Sequence, residues 1–221
     1  MNLLIGLTGP PGAGKGTLAD ILLSLAGQLG ITAKYMSLSD SIRKEVSRQG
    51  LQFERDVLKK TADLFRERLG NGVWALLLAS EIEEFLATSD GTNALIVIDG
   101  IRNPREVQVF RSQFGDQFKL LSVTAPPKVL QVNLQNRKRQ DESKKVLEDS
   151  KALENLVAAE MGLGEPDFGH NIEACIEMAD WPPISNTALL SEFEQKVKTF
   201  AKQQLLPILI SARADLVTTN Q

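Results

Sequence analysis

The segment that most restricts how this chain folds is Gly9-Pro10-Pro11-Gly12-Ala13-Gly14-Lys15-Gly16-Thr17. It has G-x-x-x-x-G-K spacing and follows a short apolar run, Asn2–Leu7, the pattern of a strand buried on both faces. After it, Leu18, Ile21, Leu22, Leu25 and Leu29 recur at helical spacing, and Gly30 stands just past the end. Glycines in such a turn permit positive φ and let backbone N–H groups converge on a phosphate, while the helix points its positive end at the same oxygens. Gly12, Ala13, Gly14, Lys15, Gly16 and Thr17 are therefore the expected phosphate cradle, with Lys15 bridging the β- and γ-phosphates of a nucleotide. The bland rival, a strand–helix turn with a solvated lysine, does not account for the full spacing in this context. The hydroxyl comes two places after Lys15, at Thr17, so a magnesium ion is expected to be held partly through water.

The rest of the chain alternates. Thr32–Ser37 reads as a second strand, and Ser39 or Asp40 is placed to cap a helix beginning near Ile42. Helices follow at 54–69 and 73–87, parted by Gly70-Asn71-Gly72. A strand at Ala94–Ile98, a helix at Pro104–Phe114, a strand at Phe118–Val123 and a helix from Pro126-Pro127 to about Arg139 come next. Such alternation predicts a three-layer α/β/α domain on a mostly parallel, five-stranded sheet. Residues 140–180 break the rhythm and read as an excursion, with a lid expected at about 137–170. Pro183–Asn186 suggests a last short strand and Leu189–Gln204 an amphipathic helix. One domain over 1–204 is expected, with 205–221 as a tail of no clear assignment.

Composition narrows the function classes. With 221 residues, of which 43% are hydrophobic and 24% charged, the chain has enough apolar material for an ordinary globular core. Twenty-five Lys+Arg against 28 Asp+Glu give a net charge of −3, which supplies no global field for gripping nucleic acid. A single cysteine, Cys175, excludes an internal disulfide and suits a reducing cytosol. The start lacks a signal-peptide pattern, and the longest apolar stretches are too short to span a bilayer, so a cytoplasmic protein, monomeric or homodimeric, is expected. Cys175 and Trp74 read as core. His170, in a glycine-rich loop with no evident acidic partner, reads as uninvolved in catalysis.

Leu95–Asp99 is an apolar strand that ends in an acid, the place from which a carboxylate orients magnesium beside a phosphate loop; Thr17 and Asp99 are the expected metal ligands. The next residue is Gly100, not the glutamate with which hydrolysing motors activate water, so transfer to a bound acceptor is favoured. Arginines then stand where charge develops in a phosphoryl transfer. Arg102 emerges straight from the strand end, whereas Arg105 is placed to pair with acids on its own helix. Arg43 shares a helical face with Asp40. Arg137 and Arg139 end a helix just before the excursion, where a closing lid brings cations to the donor; Arg137 is the preferred candidate.

GPPGAGKGT closely resembles the phosphate loop of adenylate kinase and related nucleoside-monophosphate kinases. Asp40-Ser41-Ile42-Arg43 resembles their acceptor segment, in which an acid precedes an arginine by three. Asp99-Gly100-Ile101-Arg102 looks more like dephospho-CoA kinases, deoxynucleotide kinases and a set of uncharacterised adenylate-kinase-related proteins. Ala179-Asp180 followed by Ile184-Ser185-Asn186 resembles dephospho-CoA kinases, in which the position of Asp40 is that of the general base and the Asn186 segment lies near the donor base. The resemblance implies a P-loop kinase fold, ATP and Mg2+ as cofactors, acceptor-binding helices over about 39–87, and Arg43 and Arg102 as acceptor-binding residues. The implied function is transfer of the ATP γ-phosphate to a nucleotide-type acceptor, foremost a (deoxy)nucleoside monophosphate. The alternatives are transfer to a hydroxyl, as in dephospho-CoA, and a non-catalytic ATP-binding regulator.

Overall fold

The computed structural model describes residues 2–88, 93–136, 150–187 and 189–209. Five strands form one sheet: β1 (Leu3–Thr8), β2 (Thr32–Ser37), β3 (Ala94–Asp99), β4 (Phe118–Thr124) and β5 (Ile184–Ser185). Their order is β2-β3-β1-β4-β5, and every pairing between them is parallel. Leu4 stands opposite Ile96 on one side of β1 and Phe118 on the other, while Ser37 stands opposite Asp99 at the far end. All five strands therefore end on one edge of the sheet, the edge where doubly wound folds bind ligands.

Alternation along the strands sorts the core into two layers. Leu4, Ile96, Ile98 and Leu120 face one side. There they meet α2 (Leu38–Arg48), α3 (Arg55–Leu69), α4 (Val73–Thr88), α5 (Pro104–Phe114) and the short α8 (Ile172–Glu177). Ile5, Leu7, Leu95, Val97, Leu121 and Val123 face the other side, against α1 (Lys15–Gln28), α6 (Pro127–Asn136) and α9 (Leu190–Phe200). The remaining described helix, α7 (Ser150–Met161), belongs to the excursion. The three-layer α/β/α expectation holds, with the sheet wholly parallel among the described strands.

Several boundaries differ from the expectation for local reasons. Ser37, not Ser39 or Asp40, caps α2: its hydroxyl accepts from Ser39 N at 3.2 Å, which starts the helix at Leu38. β5 has only two residues because Pro182 and Pro183 precede it and bring no N–H to a ladder. Past α9 the chain continues as a wide helical turn over Ala201–Leu205, and Ala201, Leu205 and Leu209 are buried against the α1 side of the sheet. This part of the expected tail is core.

Trp74 is fully buried, stacked on Phe65 at 5.0 Å, with its indole N–H donating to Ala62 O at 3.2 Å. Cys175 is buried too; burial, with the charge of Glu106 behind it, pushes its thiol up and leaves it inert. Asp180 fastens β4, since its Oδ2 accepts from Leu120 N at 2.6 Å and its N–H donates to Leu120 O at 2.9 Å.

Gly9 is the tightest point of the fold. Its φ is +135°, and a Cβ there would stand 2.0 Å from Val123 O on β4. Gly9→Ala is expected to lose at least about 2 kcal/mol of stability, since both the backbone and β4 must yield. A thermal melt should show the midpoint falling by roughly 4–8 °C.

Candidate active site

Helix α1 begins at Lys15, directly behind Gly14, whose φ of +105° turns the chain out of the loop. The first N–H groups of the helix therefore have no partner within it and point at the loop. Two asparagines hold the loop from outside. Asn186 Nδ2 donates to Ala13 O at 3.0 Å, and Asn133 Nδ2 donates to Gly12 O at 2.8 Å. The fit is close enough that a Cβ on Gly14 would meet Asn186 Nδ2 at 2.8 Å, and one on Gly12 would meet Leu130 O at 2.8 Å. Lys15 Nζ donates to Gly9 O at 2.7 Å and Pro10 O at 3.1 Å, which sets its ammonium across the loop.

Asp99 ends β3 beside this loop. Its Oδ1 accepts from Gly100 N at 2.7 Å and its Oδ2 from the Tyr35 hydroxyl at 2.9 Å. Tyr35 had no signal in the sequence; it arrives because β2 and β3 run in register, with Tyr35 paired to Val97 and Ser37 to Asp99. Burial and the Asp99 charge push the Tyr35 phenol up, so it stays a donor. Lys15, Gly12, Gly14, Gly16, Thr17, Tyr35, Asp99, Asn133 and Asn186 line one cleft.

A second cavity continues from the first, sharing Lys15, Tyr35 and Asp99 and adding Ser39, Asp40, Arg43 and Arg102. Asp40 lies on the first turn of α2, and its carboxylate accepts from Arg43 Nη1 at 3.1 Å. Ser39, Arg43 and Arg102 in turn line a third cavity with Arg55, Lys59, Glu160 and His170. The structure thus brings together all the predicted residues that it describes. Arg137 and Arg139 lie outside the described residues. Arg105 is turned away, with Nη1 bonded to Gln108 Oε1 on its own helix at 2.8 Å.

The third cavity corrects the expectation for His170. It has an acidic partner: Nδ1 lies 3.1 Å from Glu160 Oε2 on α7, and both residues are buried. The two atoms are at ion-pair distance but off the line of a hydrogen bond, and neither atom has another hydrogen-bond partner. Glu160 Oε1 accepts from Arg55 Nη2 at 2.6 Å, and Oε2 also lies 3.6 Å from Arg102 Nε. Burial pushes Glu160 up, but Arg102, His170 and Arg55 together outweigh it and hold the carboxyl well below its usual range.

Arg102 is fixed from behind as well. Glu106, fully buried, accepts from Arg102 N at 2.9 Å and Asn103 N at 3.1 Å with Oε2, and from Arg66 Nη2 at 2.9 Å with Oε1. Asn171 N donates to Arg102 O at 2.7 Å, and Asn103 Nδ2 donates to Gly169 O at 2.9 Å. The end of the excursion is therefore clamped onto the loop that follows Asp99.

A family model described as an AAA domain matches residues 5–157. A UPF0200 protein of Methanosarcina barkeri is 32% identical over 196 residues, covering 88% of this chain and 91% of that protein. The chain belongs to the UPF0200 family and carries an AAA domain. A second UPF0200 protein, from Pyrococcus abyssi, is 33% identical over 143 residues, covering 64% of this chain and 71% of that one. The UPF0200/UPF0201 protein of Archaeoglobus fulgidus is 31% identical over 217 residues, 98% of this chain, but the UPF0200 chain spans only 60% of that protein's length. Among solved structures, a shikimate kinase from Acinetobacter baumannii in complex with shikimate is similar with a TM-score of 0.49 at 15% identity, covering 93% of this chain and 96% of that one. No described helix is long and apolar enough to cross a membrane.

Because the folded state holds Glu160 below its unfolded range, its contribution to stability is present above about pH 4.5 and is lost as pH falls through the lower folded value. Thermal melts of the wild type and of Glu160→Gln should differ most near neutrality. The gap should close as the pH drops below about 4.

Proposed function

We propose that this chain is an ATP-dependent small-molecule kinase whose foremost acceptor is a (deoxy)nucleoside monophosphate. One observation carries the reading: the phosphate-loop cleft and the arginine-lined cavity are continuous through Lys15, Tyr35 and Asp99. Donor and acceptor phosphates in the two halves of such a cleft face each other across the strand ends. Positive charge lies on both sides of the transfer path, where it stabilises the oxygens that gain charge.

Thr17 and Asp99 offer the hard oxygen ligands that magnesium takes. No group of three or more acidic, histidine or cysteine side chains gathers into a metal cage among the described residues. That donor set fits an ion carried mainly by nucleotide phosphates, with few protein ligands. Thr17 and Asp99 would hold magnesium, which would supply positive charge to the nucleotide phosphates. Lys15 neutralises phosphate oxygens from the loop, and the Tyr35 hydroxyl fixes the orientation of the Asp99 carboxylate.

In the transfer, the bond from the γ-phosphorus to the β–γ bridging oxygen breaks and a bond to an acceptor oxygen forms, leaving ADP. A monophosphate acceptor is already an anion and needs no base. Arg43 and Arg102 hold its charge, which also offsets repulsion between the two phosphates.

A second reading has its own observation. Asp40 lines the central cavity with Lys15 and Asp99, its side chain 57% exposed, and so stands where a base takes the proton of an acceptor hydroxyl. The acceptor of this reading resembles dephospho-CoA.

The test is ADP release from MgATP with ribo- and deoxynucleoside monophosphates, dephospho-CoA and a no-acceptor blank. Release should depend on one acceptor, and Lys15→Ala should lower it by roughly 100-fold or more. Arg43→Ala should raise the acceptor KM by about tenfold or more. Asp40→Asn leaves turnover intact with a monophosphate and abolishes it with a hydroxyl acceptor. Release equal in the blank makes the chain an ATPase. ATP binding with no release makes it a regulator.

A further inference from the structure

Among the described residues, the cations around this third cavity each lie beside an acid. Arg43 is paired with Asp40, Lys59 with Asp63 and Glu165, and Arg55 and Arg102 share Glu160. Among the described residues each of these cations has a carboxylate beside it, and His170 adds an imidazole next to Glu160. On Glu160 the two oxygens differ. Oε1 is held by Arg55 at 2.6 Å. Oε2 has two suitors, Arg102 Nε at 3.6 Å and His170 Nδ1 at 3.1 Å, and a proper hydrogen bond from neither.

We infer that Glu160 and His170 are positioning residues for Arg102, which exchange partners when an anionic acceptor binds: Arg102 turns to the anion, and protonated His170 takes its place on Glu160 Oε2. The inference rests on the proposal that this cavity receives the acceptor. It follows from the cost of leaving a buried carboxylate short of a cation, which exceeds that of moving a side chain already 27% exposed at the cavity wall. Arg102 can make the move because its backbone, not its side chain, carries the clamp to Glu106 and Asn171. Arg55 cannot substitute, being committed to Oε1. Lys59 is held by two acids of its own, Asp63 and Glu165.

The linkage has a fixed sign. Binding an anion at Arg102 raises the proton affinity of His170, and by reciprocity lower pH tightens the anion. The depressed range of Glu160 is consistent with this, since the carboxylate stays ionised throughout and the proton goes to the imidazole.

His170 is the only histidine in the chain, so its ring gives one NMR titration curve without assignment by mutation. The curve is recorded on the full chain with the phosphate loop filled by MgADP, with sodium sulfate as the anion and sodium chloride at matched ionic strength as control. Sulfate does not titrate in this range. It should raise the proton affinity of His170 by roughly tenfold. Arg102→Ala should show that rise without sulfate, and Glu160→Gln should show no response to sulfate.

Three results overturn the inference: a curve that ignores sulfate, an Arg102→Ala curve like that of the wild type, or an equal sulfate response in Glu160→Gln. The last would mean simple attraction between sulfate and the ring. Should Glu160→Gln fail to fold, the Arg102→Ala curve decides alone. The readout needs no turnover. A chain that fails the acceptor panel and shows these movements keeps the exchange and loses the kinase; turnover with a static His170 does the reverse.

Discussion

Glu106 is fully buried, and the arginine-lined side of the cleft hangs from it. One of its oxygens receives the backbone N–H groups of Arg102 and Asn103, and the other receives Arg66 from α3. The same carboxylate completes the capping box that starts α5, with Asn103 as the reciprocal partner. Asn103 and Arg102 then hold residues 169 and 171 of the excursion. A single side chain thereby fixes the distance between the strand end that carries Asp99, the helix that carries Arg55 and Lys59, and the segment that carries His170. Charge in such a place is tolerated only because each of its hydrogen-bonding sites is matched, and removing one partner leaves the others stranded.

At the glycine-rich loop the constraint is steric rather than electrostatic. Gly9 lies against β4, Gly12 against α6, and Gly14 against Asn186 and Phe193, so the loop is pressed on three sides by elements distant in sequence. Backbone amides held this way are already arranged for a phosphate, which removes the entropy of ordering a flexible loop on binding. The loop and the Arg102 segment meet through Thr8, whose hydroxyl donates to Ile101 O at 3.0 Å inside the core. The phosphate loop and the Arg102 segment are therefore parts of one edge of the sheet.

What the sequence made legible follows from how local each signal is. The phosphate loop, the acid at the end of β3 and the alternation of strand and helix are each written in contiguous residues, and they are what the structure bears out. Arg43 and Asp40 were legible because a helical turn is local too. Tyr35, Arg55, Glu160 and His170 were not: Tyr35 meets Asp99 across 64 residues, and Arg55 meets Glu160 across 105. No spacing rule reaches that far. His170 shows the limit best, since its acidic partner, Glu160, lies on α7 and not in the loop around it.

Under the proposed function, the charge pairing in the third cavity has a consequence for selectivity. Arginines facing solvent bind any anion, and screening by salt makes such binding weak and unspecific. Here each described cation in that cavity already has a carboxylate, so an incoming anion must displace an acid from a cation, not merely approach it. A ligand that brings only charge gains little over the acid it replaces. A ligand that also fits the apolar wall of Ile42, Leu58 and Ala62 gains burial in addition. The charge pairing thus raises the threshold for anion binding, and the body of a ligand, rather than its charge, must supply the difference.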